Sequence, residues 1–192
     1  MTKQIEPARD RILTAANKLF YAEGIRAVSL DTIAEKAGIT KKTVYYHFKS
    51  KDDLIEAYLA SRDQPNLKLF RKWYSEAEGG LPEKVEAIFR QIAKNARHPK
   101  WKGCGFLRTA AELANMPGHP AMKVGSAHKK KFEAWMAEEF EAAGLDGAAS
   151  LARHVVLLLD GAFSTILVHR DAAYAEAAGV AARALVAGAV KA

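Results

Sequence analysis

Residues 38 to 51 read GITKKTVYYHFKSK, a run of hydroxyls, lysines and aromatic rings without one acid. Nothing in it pairs a nucleophile with a base, so bond-making chemistry is not what it offers. It is suited instead to meeting a polyanion. Lysines and hydroxyls contact phosphates or base edges, and aromatic rings pack on sugars and thymine methyls. If a helix begins after Thr40, the side chains it would project into a major groove are Thr40, Lys41, Lys42 and Thr43, then Tyr45, Tyr46 and His47. Val44 and Phe48 lie four apart and turn toward a core, leaving Lys41, Lys42, Thr43, Tyr46 and His47 outward with no structural task. From Lys36 to Lys51 there are five lysines and no acid, whereas residues 1–62 together hold 11 Lys/Arg and 8 Asp/Glu, a net of +3. The cationic patch is therefore local. Lys49 and Lys51 stand at the start of a further helix, where a cation opposes the dipole; a phosphate nearby would account for them. A solvated basic turn between two helices of a helical protein fits the same pattern.

The elements that would position this segment are short and closely spaced. Pro7 can open a helix with Ile12, Ala16, Leu19 and Phe20 on one face, and Gly24 ends it. Ser29 is a good N-cap for a second helix carrying Leu30, Ile33, Ala34 and Ala37. Gly38 stops it at a tight corner, which a residue able to take positive φ can turn. Thr40 caps a third helix through Phe48, and Ser50 caps a fourth, with Asp52 and Asp53 in its first turn. Pro65 should kink or break the chain. Helices are then expected over 66–77, from Pro82, over 106–114, 121–143, 147–169 and 172–190, with 97–105 a loop and 115–120 a break. No Val/Ile/Thr-rich alternating run suggests a strand. The expected fold is all-α: a three-helix helix-turn-helix unit over 1–50, then a helical bundle over 51–192 whose first helix is the connector, about nine helices in all.

The stretch AANKLFYAEGIRAVSLDTIAEKAGITKKTVYYHFKSKDDLIEA resembles the DNA-binding domain of the tetracycline-repressor (TetR) family of bacterial regulators. The likeness runs from Ile12 to Leu59: a first helix ending LF..EG, then IA..AG, then T..T.YYHF..K..L. It implies phosphate contacts from Ser29 and Thr32 at the start of the second helix and from Tyr45 and Lys51. It implies a groove-facing set of Lys41, Lys42, Thr43, Tyr46 and His47. Lys42 occupies a position that is often glycine, proline or arginine in such proteins, so no operator sequence carries over. The family works as homodimers on near-palindromic operators, commonly as repressors released by a small molecule. A regulator or architectural protein without a ligand, and an activator, are the alternatives.

Residues beyond 65 would then sense and dimerise. VVLLLDGAFSTILV (155–168) is apolar nearly all round, and Gly161, Ala162 and Ser164 would admit another helix closely. With the Ala-rich last helix it suits a four-helix interface between two copies; the alternative is that both helices are core of one copy. Aromatic residues gather in the middle: Phe70, Trp73, Phe89, Trp101, Phe106, Phe132 and Phe163. Three polar residues in apolar surroundings, Glu112, His128 and Asp160, complete a candidate pocket for an apolar or aromatic effector, each also readable as an ordinary structural residue. WKGCGFLRTAAEL (101–113) resembles a pattern in one group of TetR-type regulators.

The 192 residues suffice for a real core, and a net charge of +7 fits a nucleic-acid partner without requiring one. One cysteine, Cys104, allows no intrachain disulfide and suggests a reducing cytoplasm; between two glycines it reads as a flexible position open to solvent. The opening residues MTKQIEPARDR lack the apolar stretch of a leader, and the run 155–168 is too short and too polar to span a bilayer, so no membrane is expected. His98, His119 and His128 have no metal-ligand spacing. No phosphate loop, H-E-x-x-H or C-x-x-C occurs, and neither enzyme activity nor a cofactor is expected.

Overall fold

A computed structural model describes residues 6–190; residues 1–5, part of the stretch read for a leader, lie outside the described residues. The described residues form nine α-helices and no strand: α1 (Ala8–Glu23), α2 (Leu30–Ala37), α3 (Lys41–His47), α4 (Lys51–Ser75), α5 (Leu81–Ala96), α6 (Gly105–Glu112), α7 (Pro120–Ala142), α8 (Ala148–His169) and α9 (Ala173–Val190). The all-α expectation and the helix count hold.

The caps are where the residue types place them. The Ser29 hydroxyl accepts from the Thr32 N–H at 3.0 Å, that of Thr40 from Thr43 at 3.2 Å and that of Ser50 from Asp53 at 3.1 Å. Each satisfies one of the N–H groups that a helix start leaves without an intrahelical partner. At the start of α5 the Glu83 carboxylate accepts from the Gly80 N–H at 3.0 Å.

Pro65 neither breaks nor ends a helix: α4 runs through it as one element of 25 residues. An interior proline withholds an N–H and crowds the carbonyl four residues back, which costs about 3 kcal/mol. Anchors on both sides offset this. Tyr58 and Leu59 are buried before it, and Leu67 and Tyr74 after it. Two residues before the proline, Asp63 is hydrogen-bonded to His128 (2.8 Å) and ion-paired with Lys131.

The chain divides into two compact units. The first comprises residues up to Arg62 together with Gly105–Gly125, so α6 belongs with α1, α2 and α3. Its core is Ile12, Phe20, Ile33, Val44, Phe48, Leu54 and Tyr58, all at most 2% exposed. The second comprises Asp63–Cys104 and the chain from Ser126 on. There α9 packs on α5 and α8. The approach to α5 is close: a Cβ at Gly179 would lie 2.8 Å from that of Phe89. Fully burying a residue such as Ile88 or Phe89 contributes about 1.5–3 kcal/mol.

The apolar run at 155–168 lies within the longer α8. By length and composition alone, α8 and α9 could each cross a membrane. Yet α8 carries charges tied to α7: Asp160 to Lys129, and Arg153 to Glu133 at 3.0 Å. Its inner face of Val155, Leu159, Ala162 and Ile166 is buried in the second unit. Its outer stripe is not: Leu157 is 64% and Val168 75% exposed, and a Cβ on Gly161 would meet open space.

Candidate nucleic-acid interface

The corner between α2 and α3 is built from backbone upward. Gly38 sits at φ 64°, ψ 42°, in the left-handed region that favours glycine. The Ile39 N–H returns to the Ala34 carbonyl at 3.0 Å, closing the end of α2. From α1, the Arg11 guanidinium donates to the carbonyls of Ala37 and, at 2.8 Å, Gly38. It satisfies two acceptors at once and pins the corner to α1. On α3, Val44 and Phe48 are buried, and the Arg9 guanidinium lies 5.1 Å from the centroid of the Phe48 ring.

With that face turned inward, the opposite face of α3 stands in solvent. Tyr46 is 84% exposed and Tyr45 47%. The Tyr46 and His47 rings meet edge to face at 5.0 Å, which fixes them relative to each other. Lys42 is exposed and makes no ion pair among the described residues. Two of the five residues expected to lack a structural task do have one. Lys41 is ion-paired with Asp31 of α2 at 2.8 Å, and the Asp31 carboxylate, first by hydrogen bond and then by charge, raises the Lys41 pKa above its ordinary value. Thr43 shares a hydroxyl–hydroxyl contact of 2.9 Å with Thr40. Thr32 and Ser29 share another at 2.8 Å, leaving both hydroxyls at the exposed start of α2. Lys51 reaches the Arg26 carbonyl at 3.4 Å, and burial pushes its ammonium below the usual lysine value against the pull of Asp52 and Glu112.

Glu112, expected to line a pocket, is occupied elsewhere. Its carboxylate takes the N–H groups of Ile25 and Arg26, at 3.3 and 3.0 Å, in the turn that leads from Gly24 to the Ser29 cap. Arg26 returns a hydrogen bond to Asn115 at 2.9 Å, and Arg108 donates to the Tyr21 carbonyl at 2.7 Å. Helix α6 thus clasps the α1–α2 turn. Arg11, Asp31 and this clasp escape a reading of the sequence, where no local spacing marks them.

The remaining pocket candidates are divided between the two units. Phe106 lies with Glu112 in the first unit; the others lie in the second. There Phe70, Trp73, Phe132 and Trp135 form a ring cluster between α4 and α7, with centroids 5.2–5.6 Å apart. Trp101 stacks on Phe163 at 6.2 Å, and Phe89 is fully buried. His128 is buried against Asp63, and burial depresses its pKa despite that partner. Asp160 pairs with Lys129. Cys104 is buried, not open to solvent, because the chain around it folds into the bundle. Among the described residues, no three potential metal ligands gather.

A corner pinned by glycine and arginine, capped helices on either side and a basic aromatic face are the parts of a helix-turn-helix. A family model described as bacterial regulatory proteins, tetR family, matches residues 12–58. The crystal structure of SCO4454, a TetR-family transcriptional regulator from Streptomyces coelicolor, superposes with a TM-score of 0.79 at 32% identity, covering 95% of this chain and 96% of that one. The chain belongs to the TetR family. It is accordingly a DNA-binding regulator of the TetR type. Among curated relatives, the HTH-type transcriptional regulator SrpR of Pseudomonas putida is 45% identical over 62 residues, 32% of this chain and 29% of SrpR. TtgR, also of Pseudomonas putida, is 31% identical over 99 residues, 50% of this chain and 47% of TtgR. The match thus spans less than half of either relative. The reduced form of NemR from E. coli superposes at a TM-score of 0.80 with 17% identity, covering 93% of this chain and 97% of that one, a likeness of fold alone.

Proposed function

We propose that this regulator is a ligand-responsive, cytoplasmic repressor that binds a near-palindromic operator as a homodimer and is released by a small apolar or aromatic effector. Residues 1–50 form its reading head, and residues 51–192, entered through α4, serve sensing and dimerisation. The observation that carries the DNA reading is the exposed face of α3, with Lys42, Tyr46 and His47 outward on a helix whose other face is core. In this reading Lys42, Thr43, Tyr46 and His47 meet base edges. Lys41 joins them by exchanging Asp31 for DNA, while Ser29, Thr32, Thr40, Tyr45 and Lys51 hold the phosphates. Selection of bound sequences from a random DNA pool tests it: a near-palindrome is expected, with half-sites about 34–36 Å apart or a multiple of that. Recovery of no preferred sequence at physiological salt would refute it.

Lys51 distinguishes positioning from reading. Lys51→Ala is expected to weaken binding to all sequences alike and to lower the slope of log affinity against log salt by about 1. An unchanged slope in a salt titration would remove Lys51 from the phosphate set.

The dimer reading is supported by the outward stripe of α8 and α9. Leu157, Val168, Val180 and Leu185 are 44–75% exposed in one copy, and small residues at Ala177, Ala181, Ala184 and Gly188 recur along the exposed side of α9. Two helices from each copy would cover these surfaces. Leu157→Glu, at a position outside the core of one copy, is expected to yield a folded monomer in sedimentation and to lower operator affinity by more than about tenfold, because each half-site would then bind alone. A dimer that survives the substitution would place the interface elsewhere.

A further inference from the structure

The ends of α5 and α8 in the second unit border a half-open cleft of about 240 Å³. Its lining is of two kinds. Ala96, Pro99, Trp101, Ile166 and Ala172 are apolar, and Arg97, His98 and Arg170 are basic. Trp101 is held flat by its stack on Phe163, with an interplanar angle of 19°. The His98 Nδ1 accepts from the Lys100 N–H at 3.2 Å, so the neutral ring carries its proton on Nε2. Of the carboxylates nearby, Glu176 pairs with Arg97, and Asp171 accepts from the Ala173 N–H at 2.9 Å. Arg170 has no hydrogen bond or ion pair from its side chain among the described residues. Helix dipoles account for a cation after each helix end. They do not account for an indole shelf and an open volume between the two.

The backbone at Arg170 is the second unusual feature. It is the one residue other than glycine with positive φ among the described residues, at 57°. Glycine would fill this cap without strain, yet the position carries a guanidinium. The volume lies below the roughly 300–1,000 Å³ of sites for drug-sized ligands, which suits one or two rings. A flat body against an indole and a carboxylate between guanidiniums is a recognised combination of forces.

We propose that this cleft binds a small aromatic carboxylate, its carboxylate on Arg170 beside the Arg97–Glu176 pair and its ring against Trp101. This narrows the effector class given above and rests on that reading only for the consequence for DNA. The full-length protein is titrated with 2-naphthoate, following tryptophan fluorescence and thermal stability. Saturable binding with a raised Tm is expected, and the uncharged 2-naphthamide should bind at least about tenfold more weakly. Arg170→Gly should lose about tenfold in affinity for 2-naphthoate while its own Tm is unchanged or higher, because the strained φ is relieved. No saturable binding, equal binding of the amide, or undiminished binding by Arg170→Gly would overturn the site. Release of the selected operator by 2-naphthoate supports the effector role. Binding that leaves operator affinity unchanged overturns that role and keeps the site. Failure to select any operator would tell against the repressor reading while the titration still decides the cleft.

Discussion

Phe48→Ala is expected to unfold the reading head, whereas Tyr46→Ala, two residues away, is expected to leave it folded but with markedly weakened recognition of its operator. Phe48 is 1% exposed and packs with Val44, which is fully buried, in the core of the first unit. Truncating a buried phenylalanine costs about 3–5 kcal/mol, comparable with much of the roughly 5–15 kcal/mol by which a whole domain is stable. DNA binding would disappear with the fold. Tyr46 is 84% exposed, and its ring meets that of His47. Its truncation leaves the core untouched, so Tm should move little. Removing one side chain that reads a base edge costs about 1–3 kcal/mol, a fall of roughly 5- to 150-fold in specific affinity with non-specific binding largely kept. Thermal melts paired with gel shifts on the selected operator separate the two. If Tyr46→Ala bound operator as the parent does, the exposed face of α3 would not be the reading face.

The second large effect is expected at Glu112. Its carboxylate is the acceptor for the N–H groups of both Ile25 and Arg26, and Ile25 is buried. Glu112→Ala leaves those donors without their acceptor, at about 1–3 kcal/mol for a buried group. The turn they belong to runs directly into the Ser29 cap of α2, so loosening it should displace the start of α2 and lower operator affinity about tenfold. Glu112→Gln keeps one acceptor oxygen and should recover part of the loss. The direct readout is amide hydrogen exchange at Ile25 and Arg26, which should accelerate in the alanine variant. Unchanged exchange and affinity would show that the clasp is dispensable. Normal DNA binding with no effector response would return Glu112 to the pocket set.

Glu112 also illustrates how far the sequence can be read. An acid within TAAELA looks like a polar group in an apolar helix, and the pocket reading follows from that alone. The N–H groups it accepts from are 86 and 87 residues away. Arg11 is 26 and 27 residues from the carbonyls it holds, and Asp31 is 10 from Lys41. Nothing in the spacing of residues along one helix encodes such pairs. The caps behave differently. Ser29, Thr40 and Ser50 each bond an N–H three residues on, so residue type at a fixed offset is enough to find them. Pro65 lies between these cases. Its local cost is legible, but buried neighbours and the bonds of Asp63 to His128 and Lys131, 65 and 68 residues away in sequence, offset it. The aromatic residues of the middle helices are all visible as core or pocket formers. Periodicity cannot divide them among the α4–α7 cluster, the Trp101–Phe163 stack and the first unit.

Residue types and their spacing were enough to specify most of the helices, their caps at Ser29, Thr40 and Ser50, the glycine corner and which face of α3 is apolar. Those features depend on forces that act within about four residues: a hydrogen bond closing one turn, a dihedral open to glycine, a 3.6-residue repeat. Packing in three dimensions was needed to settle that α6 shares a compact unit with α1, α2 and α3, that α4 passes unbroken through Pro65, and that Lys41 is held by Asp31. It also brought the ends of α5 and α8 together around one cleft. Each of those outcomes rests on a meeting of residues distant in sequence, and such a meeting exists only once packing has chosen which helix faces touch.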